Sequence, residues 1–201
     1  IQGSYSDSCA KEMYPGCETI PCKTFDDVFN KASENDEIIA IIPESNKTTG
    51  NIGVEYLIFK YRLNIYAEHF QKIEHNLLGQ PGSKISDIKN VFSHAQALSQ
   101  CSKFIKKNNL TEHVRADTAG SAEAISKTKK NNEAAIASKL SAKIYNLDVL
   151  SSNIENESGN ATRFLVMGKD IHQPDYEGKK YITSFLFKLK SKPAALYQSL
   201  G

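Results

Sequence analysis

The fold class is decided by residues 90–105, which read NVFSHAQALSQCSKFI. Residues 90–93 have the composition of a short strand, and Ser93 and Gln96 fit the capping box that begins a helix. The face that this helix would bury carries Leu98, Cys101, Phe104 and Ile105. A strand that runs directly into a helix is the building unit of α/β proteins.

The same alternation of strands and helices extends in both directions from this stretch. Helices are predicted after the capping box of Thr24 and Asp27, from Asp117-Thr118, and over residues 139–145. Short apolar runs predict strands at residues 37–42, 65–78, 112–116, 133–138, 149–154 and 163–167. Pro43 is expected to end the first strand, before a polar loop over residues 44–53. Together these predictions indicate an α/β fold with largely parallel sheets.

Composition and charge exclude several classes of partner. The 201 residues carry 25 basic and 23 acidic side chains, without the basic excess of a nucleic-acid-binding protein. No apolar run approaches the roughly 20 residues that span a bilayer, so no membrane partner is expected. The first residues lack the segments of a signal peptide, so we expect a cytoplasmic protein. Cys9, Cys17 and Cys22 lack zinc-site spacing, and His69 and His75 lack ordered metal spacing, so no metal is expected.

Small polar residues follow four of the predicted strands, in residues 44–50, 93–96, 117–120 and 137–138. Ligands of open α/β sheets bind beyond the carboxyl ends of the strands. Hydroxyl groups and free helix N-terminal amides in such places favour an anion, such as a carboxylate. Ser93 and Thr118 are also good helix caps, so each alone has a structural explanation. Four such ends together favour a cleft for a small anion.

The run Asn160-Ala161-Thr162-Arg163-Phe164 resembles the N-x-T-R-F signature of the prephenate dehydratases. Other motifs of that family are matched in order by SYS (4–6), IPxxN (42–46), VFSHAQALSQC (91–101), DTA (117–119) and AIAS (135–138). Near the end, KSKPAALY (190–197) resembles the start of the ACT regulatory domain of the same enzymes. The resemblance covers nearly the whole chain.

The resemblance implies two α/β lobes like those of type 2 periplasmic binding proteins, with the active site between them. The catalytic domain would comprise residues 1–176. Lobe one would be formed by residues 1–72 and 155–176, and lobe two by residues 73–154. Residues 177–201 would be the N-terminal part of an ACT-like regulatory domain with a ferredoxin-like α+β fold.

The resemblance also implies a reaction. Prephenate loses its ring hydroxyl and a carboxylate, giving phenylpyruvate, carbon dioxide and water in phenylalanine biosynthesis. Such enzymes need no metal or organic cofactor, are homodimers or homotetramers, and take L-phenylalanine as an effector where the ACT domain is complete. Two alternatives stay open. One is the same chemistry on arogenate, which has an amino group in place of the keto group. The other is a two-lobed carboxylate-binding protein with impaired catalysis.

By resemblance, Thr162 is the catalytic residue that addresses the leaving hydroxyl. The candidates for substrate binding are Ser6, Asn46, Thr48, Ser93, Gln96, Thr118, Ser138, Arg163 and Phe164. Arg163 follows Thr162 in a strand and therefore points to the opposite face, where bracing of the neighbouring loops is the alternative to a substrate contact. Phe164 returns to the side of Thr162 and either packs beneath the substrate ring or belongs to the core.

The loop after the first predicted strand departs from the family pattern. The family usually has Pro-x-Glu-Asn-Ser, whereas this chain has Pro43-Glu44-Ser45-Asn46-Lys47. Either the loop shifts to present Glu44, or the site lacks that carboxylate. This departure motivates the binding-protein alternative.

Overall fold

The structure is a computed structural model of the chain, and it describes residues 1–169, 178, 180–183, 189 and 191–200. The expected domain boundary at residues 176–177 and much of the ACT-like segment lie outside these residues. The helices are α1 (Tyr5–Met13), α2 (Phe25–Glu34), α3 (Glu55–Tyr61), α4 (Ala95–Gln100), α5 (Ser102–Lys107), α6 (Thr118–Thr128), α7 (Lys139–Tyr145) and α8 (Ala195–Leu200). The strands are β1 (Ala40–Asn46), β2 (Gly50–Asn51), β3 (Asn64–Lys72), β4 (Asn76–Gly79), β5 (Asn90–His94), β6 (Thr111–Arg115), β7 (Glu133–Ala137), β8 (Asp148–Ser151) and β9 (Ala161–Gly168). No described helix combines the length and the apolar character that a membrane span requires.

The strands form two mixed α/β units, each built on its own sheet. The first sheet has the order β2-β1-β9-β3, and the second has the order β6-β5-β7-β4-β8. The chain completes β1 to β3, builds the whole second sheet, and returns to insert β9 between β1 and β3. The two crossings lie side by side, because Ile73 N–H donates to Asn160 O (2.9 Å) and Ile154 N–H donates to His75 O (3.0 Å).

The prediction of largely parallel sheets is wrong. In the described chain, parallel pairing is confined to β5, which pairs in that direction with β6 and β7. All pairs of the first sheet are antiparallel, and so are the pairs of β4 with β7 and β8. In the first sheet, β9 is antiparallel because the chain returns at the end where β3 left the sheet, with Ala161 opposite Lys72.

The first strand was also predicted to end too early, because Pro43 lies inside β1. Pro43 pairs with Phe164 of β9, while β2 pairs only with Ser45 and Asn46. At Pro43 the strand therefore has one neighbour, and a residue without an N–H is tolerated on an open edge. The predicted loop over residues 44–53 is accordingly the end of β1 followed by the short hairpin strand β2.

The central part of the second sheet is buried on both faces, as the apolar strand β7 requires. Ala134 and Ile136 belong to one core cluster, which includes residues of α4 and α5. Ala135 and Ala137 belong to another, with residues of α6 and α7. This alternation follows from the two-residue period of a strand. In the first sheet, α2 and α3 cover one face through a cluster that includes Phe29, and α1 packs against β1 and β3.

Candidate active site

A cavity of about 730 Å³, here called the central cavity, brings elements of both sheets together. Its lining includes the start of α1, β1, β9, α4 and the start of α6. Of the predicted site residues it contains Ser6, Asn46, Gln96, Thr118, Thr162 and Phe164. A cavity of this size and mixed polarity accommodates a small organic molecule.

Thr162 lies on β9 directly opposite Asn46 of β1. Asn46 Nδ2 donates to Thr162 Oγ1 (2.8 Å) and to Asn160 Oδ1 (2.9 Å). Only 6% of the Thr162 surface is exposed, and what is exposed faces the central cavity. Because Oγ1 accepts from Asn46, the hydroxyl proton is left to donate, and no described residue accepts it.

The carbonyl side of the Asn46 amide shapes the turn that follows β1. Its Oδ1 accepts from the Thr48 backbone N–H (3.0 Å) and from Thr48 Oγ1 (2.6 Å), which is the arrangement of an Asx turn. Thr48 is itself exposed, so its hydroxyl acts through Asn46. The altered loop sequence thus still delivers Asn46 to Thr162.

Two glutamines of α4 reach from the second unit to this turn. Gln96 Nε2 donates to Thr49 Oγ1, and Gln100 Nε2 donates to Thr48 Oγ1 (2.7 Å). Gln100 Oε1 also accepts from Asn160 Nδ2 (3.3 Å). Gln100 was absent from the predicted site residues. The signal that could have found it is its spacing of four from Gln96, which places both side chains on one helix face.

His75 contacts Gln100 in the crossing between the two sheets, and both residues line the central cavity. Its Nε2 lies 2.8 Å from Gln100 Oε1, and its Nδ1 lies 2.9 Å from the Tyr5 hydroxyl. The ring is 3% exposed, and this burial lowers the pKa of the imidazole below its usual 6.5. The sequence analysis considered His75 only as a metal ligand and missed these contacts, because they join residues far apart in the chain.

Two of the predicted substrate contacts, Ser93 and Ser138, make structural hydrogen bonds and are not among the residues that line the central cavity. Ser93 is fully buried, and its hydroxyl donates to Ile136 O on the neighbouring strand β7 (2.6 Å). The predicted capping box of Ser93 and Gln96 is wrong, because His94 is the N-cap of α4. Ser138 caps α7, and its hydroxyl donates to Gly3 O (2.7 Å).

Arg163 takes the bracing position on the face of β9 opposite Thr162. Its Nε donates to Glu68 Oε2 (2.6 Å) and its Nη1 to Glu44 Oε2 (3.3 Å). Glu44 also accepts from Ser45 Oγ (2.6 Å). Of the two outcomes left open for Glu44, the structure therefore shows the one in which this carboxylate is not presented to the cavity.

The predicted site residues that line the central cavity are uncharged polar side chains and one apolar ring. Phe164, 1% exposed, lies on the same face of β9 as Thr162 and borders the cavity. Within the described chain, no group of three or more His, Cys, Asp or Glu side chains is arranged to hold a metal ion. Such an arrangement can hold carboxylates by hydrogen bonds and present a hydroxyl proton to a leaving oxygen.

Comparison with known proteins identifies a family for this chain. Residues 1–172 match the family model described as prephenate dehydratase. The whole chain is 37% identical to arogenate dehydratase 2 of Petunia hybrida and 35% identical to arogenate dehydratase/prephenate dehydratase 2, chloroplastic, of Arabidopsis thaliana. It covers 51% and 53% of these proteins, so it spans about half of their length.

A solved structure gives the same result for the fold. The prephenate dehydratase from Arthrobacter aurescens in complex with L-Phe superposes with a TM-score of 0.79 at 25% identity. The match covers 89% of this chain and 61% of that one.

Proposed function

Because the chain belongs to the prephenate dehydratase family, we propose that it catalyses the decarboxylating dehydration of prephenate to phenylpyruvate. The bond from the ring to its carboxylate breaks and releases carbon dioxide. The electron pair of that bond enters the ring, and the hydroxyl across the ring leaves and takes up a proton to give water. Aromatisation drives the reaction, so we propose no cofactor.

The observation that carries this proposal is the hydroxyl of Thr162. It is held by Asn46 at 2.8 Å, it faces the central cavity, and its proton is not accepted by any residue that the structure describes. A fixed donor is what a departing oxygen needs, because it stabilises charge only as the bond breaks. Phe164 gives the cyclohexadiene ring an apolar wall, and Ser6 and Thr118 are proposed to hold the carboxylates.

The larger architecture belongs to the same proposal. Two lobes of the type 2 periplasmic-binding-protein kind, with residues 1–72 and 155–176 in one and 73–154 in the other, would give a crevice that closes over substrate. The two separate sheets and the adjacent crossings support this arrangement. Closure would remove water from the departing carboxylate.

Arogenate is a second candidate substrate, because the Petunia relative is named an arogenate dehydratase. The ring chemistry is identical, and the substrates differ only in the amino or keto group of the side chain. The binding-protein alternative is less well supported, since the altered residues 44–47 still bring Asn46 to Thr162.

Regulation, assembly and location are proposed by family likeness. We propose an ACT-like segment from residue 177. Helix α8, which begins shortly after Pro193, is compatible with the helix that such a segment would start there. An L-phenylalanine effector is supported by the complex of the Arthrobacter relative. A homodimer or homotetramer and a cytoplasmic location stay predictions.

The test is turnover of prephenate and of arogenate by the full chain, with phenylpyruvate and phenylalanine as the products measured. Thr162→Val keeps the shape of the side chain, and Asn46 Nδ2 keeps Asn160 Oδ1 as an acceptor. We expect this variant to lower kcat by about 10²–10³, as for the loss of one transition-state donor, while Thr162→Ser stays within about tenfold of the parent. Folded parent protein that binds but converts neither substrate would refute the enzymatic proposal in favour of the binding protein.

A further inference from the structure

The polar side chains around Thr162 form one continuous hydrogen-bond chain, and a backbone group fixes its direction. The Thr48 N–H can only donate, and it donates to Asn46 Oδ1 (3.0 Å). The Asn46 amide therefore cannot be reversed, and its Nδ2 must face Asn160 Oδ1 and Thr162 Oγ1. Asn160 is oriented in turn, so that its Nδ2 faces Gln100.

The same logic reaches the buried imidazole. With Asn160 Nδ2 facing it, the oxygen of the Gln100 amide must lie on that side, and this oxygen is also the atom 2.8 Å from His75 Nε2. A carbonyl oxygen only accepts, so His75 Nε2 carries a proton. In the neutral ring Nδ1 is then an acceptor. The Tyr5 hydroxyl lies 2.9 Å from both Nδ1 and Glu74 O, and its single proton goes to Nδ1, because Glu74 O already accepts from Asn76 Nδ2 (3.1 Å).

We propose that His75, held in its Nε2–H tautomer by Tyr5, is a positioning residue for the Thr162 hydroxyl, and this inference rests on the proposed function. Every link donates in the same sense: from His75 to Gln100, then to Thr48, to Asn46 and to Thr162. The last proton of the chain points into the central cavity. Bonds that donate in one sense strengthen each other.

Because of the position of His75 in the fold, the hydrogen-bond chain connects the two units. His75 lies in the first crossing between the sheets, Gln100 ends α4 of the second unit, and Thr48 follows β1 of the first. The Gln100 amide thus accepts a hydrogen bond from His75 at its oxygen and donates one from its nitrogen to Thr48, in the turn that holds Asn46. Without the donor, Gln100 Oε1 keeps only the 3.3 Å contact from Asn160, so the amide is held closely at one end alone, by the 2.7 Å bond from Nε2 to Thr48 Oγ1.

Two substitutions of the same residue separate positioning from packing. His75→Leu fills the space but removes the donor. His75→Gln returns an amide donor near the place of Nε2, and the Tyr5 hydroxyl can then donate to Glu74 O, which lies 2.9 Å away. A misplaced catalytic group slows the chemical step by about tenfold to a hundredfold, so we expect that loss of kcat for His75→Leu with KM within about threefold. His75→Gln should recover kcat to within about threefold of the parent, because the direction of the chain is restored.

The overturning results are equally definite. An unchanged kcat in His75→Leu, or a kcat in His75→Gln as low as in His75→Leu, contradicts the positioning role. If His75→Leu fails to fold, His75→Gln and Tyr5→Phe decide: the proposal requires near-parental kcat in the former and a lower kcat in the latter.

A measurement that needs no turnover keeps this inference separate from the proposed function. Nitrogen NMR of the labelled parent protein should show a protonated Nε2 and an unprotonated Nδ1 for His75. A ring protonated only at Nδ1 overturns the hydrogen-bond chain even in an active enzyme. A parent with the expected tautomer that converts neither prephenate nor arogenate refutes the proposed function instead.

Discussion

Arg163 and its neighbour Thr162 lie in one strand but make different contacts. Thr162 and Arg163 alternate across β9, so one faces the central cavity and the other faces two carboxylates. Arg163 is 24% exposed at its side chain, and its partners Glu44 and Glu68 are 18% and 31% exposed. The pair of contacts is therefore sheltered enough to contribute to stability, but not fully desolvated.

We predict that Arg163→Gln lowers the free energy of unfolding by about 1–2 kcal/mol, because charge-assisted hydrogen bonds of this burial are lost. KM should stay within about twofold, since no substrate contact is removed. Urea denaturation and steady-state kinetics measure the two quantities. Lys103→Gln, which removes an ion pair exposed on both sides, is the control and should leave the stability unchanged. A large rise in KM at unchanged stability would instead place Arg163 in the substrate site.

Sequence reasoning did not include Gln100 or His75 in the predicted site, whereas it did include Thr162 and Asn46. Those two were reached through motif resemblance, and strand register brings them opposite each other. Gln100 contacts Thr48, 52 residues away in the chain, and His75 contacts Gln100, 25 residues away. No local sequence pattern indicates contacts at these separations. Ser93, in contrast, was assigned to the site from its local position at the end of a strand. A serine at a strand end has several uses, and only the neighbouring strand decides among them.

At the scale of elements, local signals were accurate where the residues alone determine the structure. Thr24 and Asp27 form the predicted reciprocal capping box of α2, with both bonds at 3.1 Å. The helix from Asp117-Thr118 and the helix over residues 139–145 also begin where predicted. The end of β1 was misplaced because the tolerance of Pro43 depends on which strand pairs beside it, and that is a property of the sheet.

We predict that Thr24→Ala destabilises the protein by about 1 kcal/mol, the usual cost of losing an N-cap, because the Asp27 N–H loses its acceptor. Thr24→Ser keeps the hydroxyl and should stay close to the parent. The urea midpoints of the parent and the two variants give the comparison, provided that the slope of unfolding free energy against urea concentration is the same for all three. Equal midpoints for the alanine and serine variants would show that the cap contributes nothing.

At the scale of the whole molecule, the directions of the strands could not be predicted from strands and helices in series. That pattern favours parallel crossovers, but here the chain leaves the first sheet unfinished and returns to it. The second sheet is built from one continuous stretch, residues 76–151. The first sheet needs β9, which follows that stretch in the sequence. The two sheets therefore differ in how they can come apart.

We predict that alkylation of the cysteines reports this difference. Burial raises the pKa of the Cys9 and Cys101 thiols to about 12, so near pH 8 both stay protonated and unreactive in the folded protein. Cys9 lies on α1 against the first sheet, and Cys101 lies in a core cluster of the second. With rising urea, Cys9 should be labelled before or together with Cys101.

Peptide mass spectrometry after iodoacetamide treatment provides the measurement, and the exposed Cys17, labelled without urea, is the internal control. Labelling of Cys101 at a lower urea concentration than Cys9 would contradict the dependence of the first sheet on the second.

The insertion of β9 also has a consequence during synthesis. β1 and β3 emerge from the ribosome while residues 73–160 are still to be translated, and the slot between them stays open throughout. Two exposed edges in a nascent chain invite pairing with the wrong partner, which chaperones counter by shielding them. The strand that carries Thr162 thus completes its own sheet, so a newly made molecule brings this hydroxyl opposite Asn46 only in the step that completes the sheet.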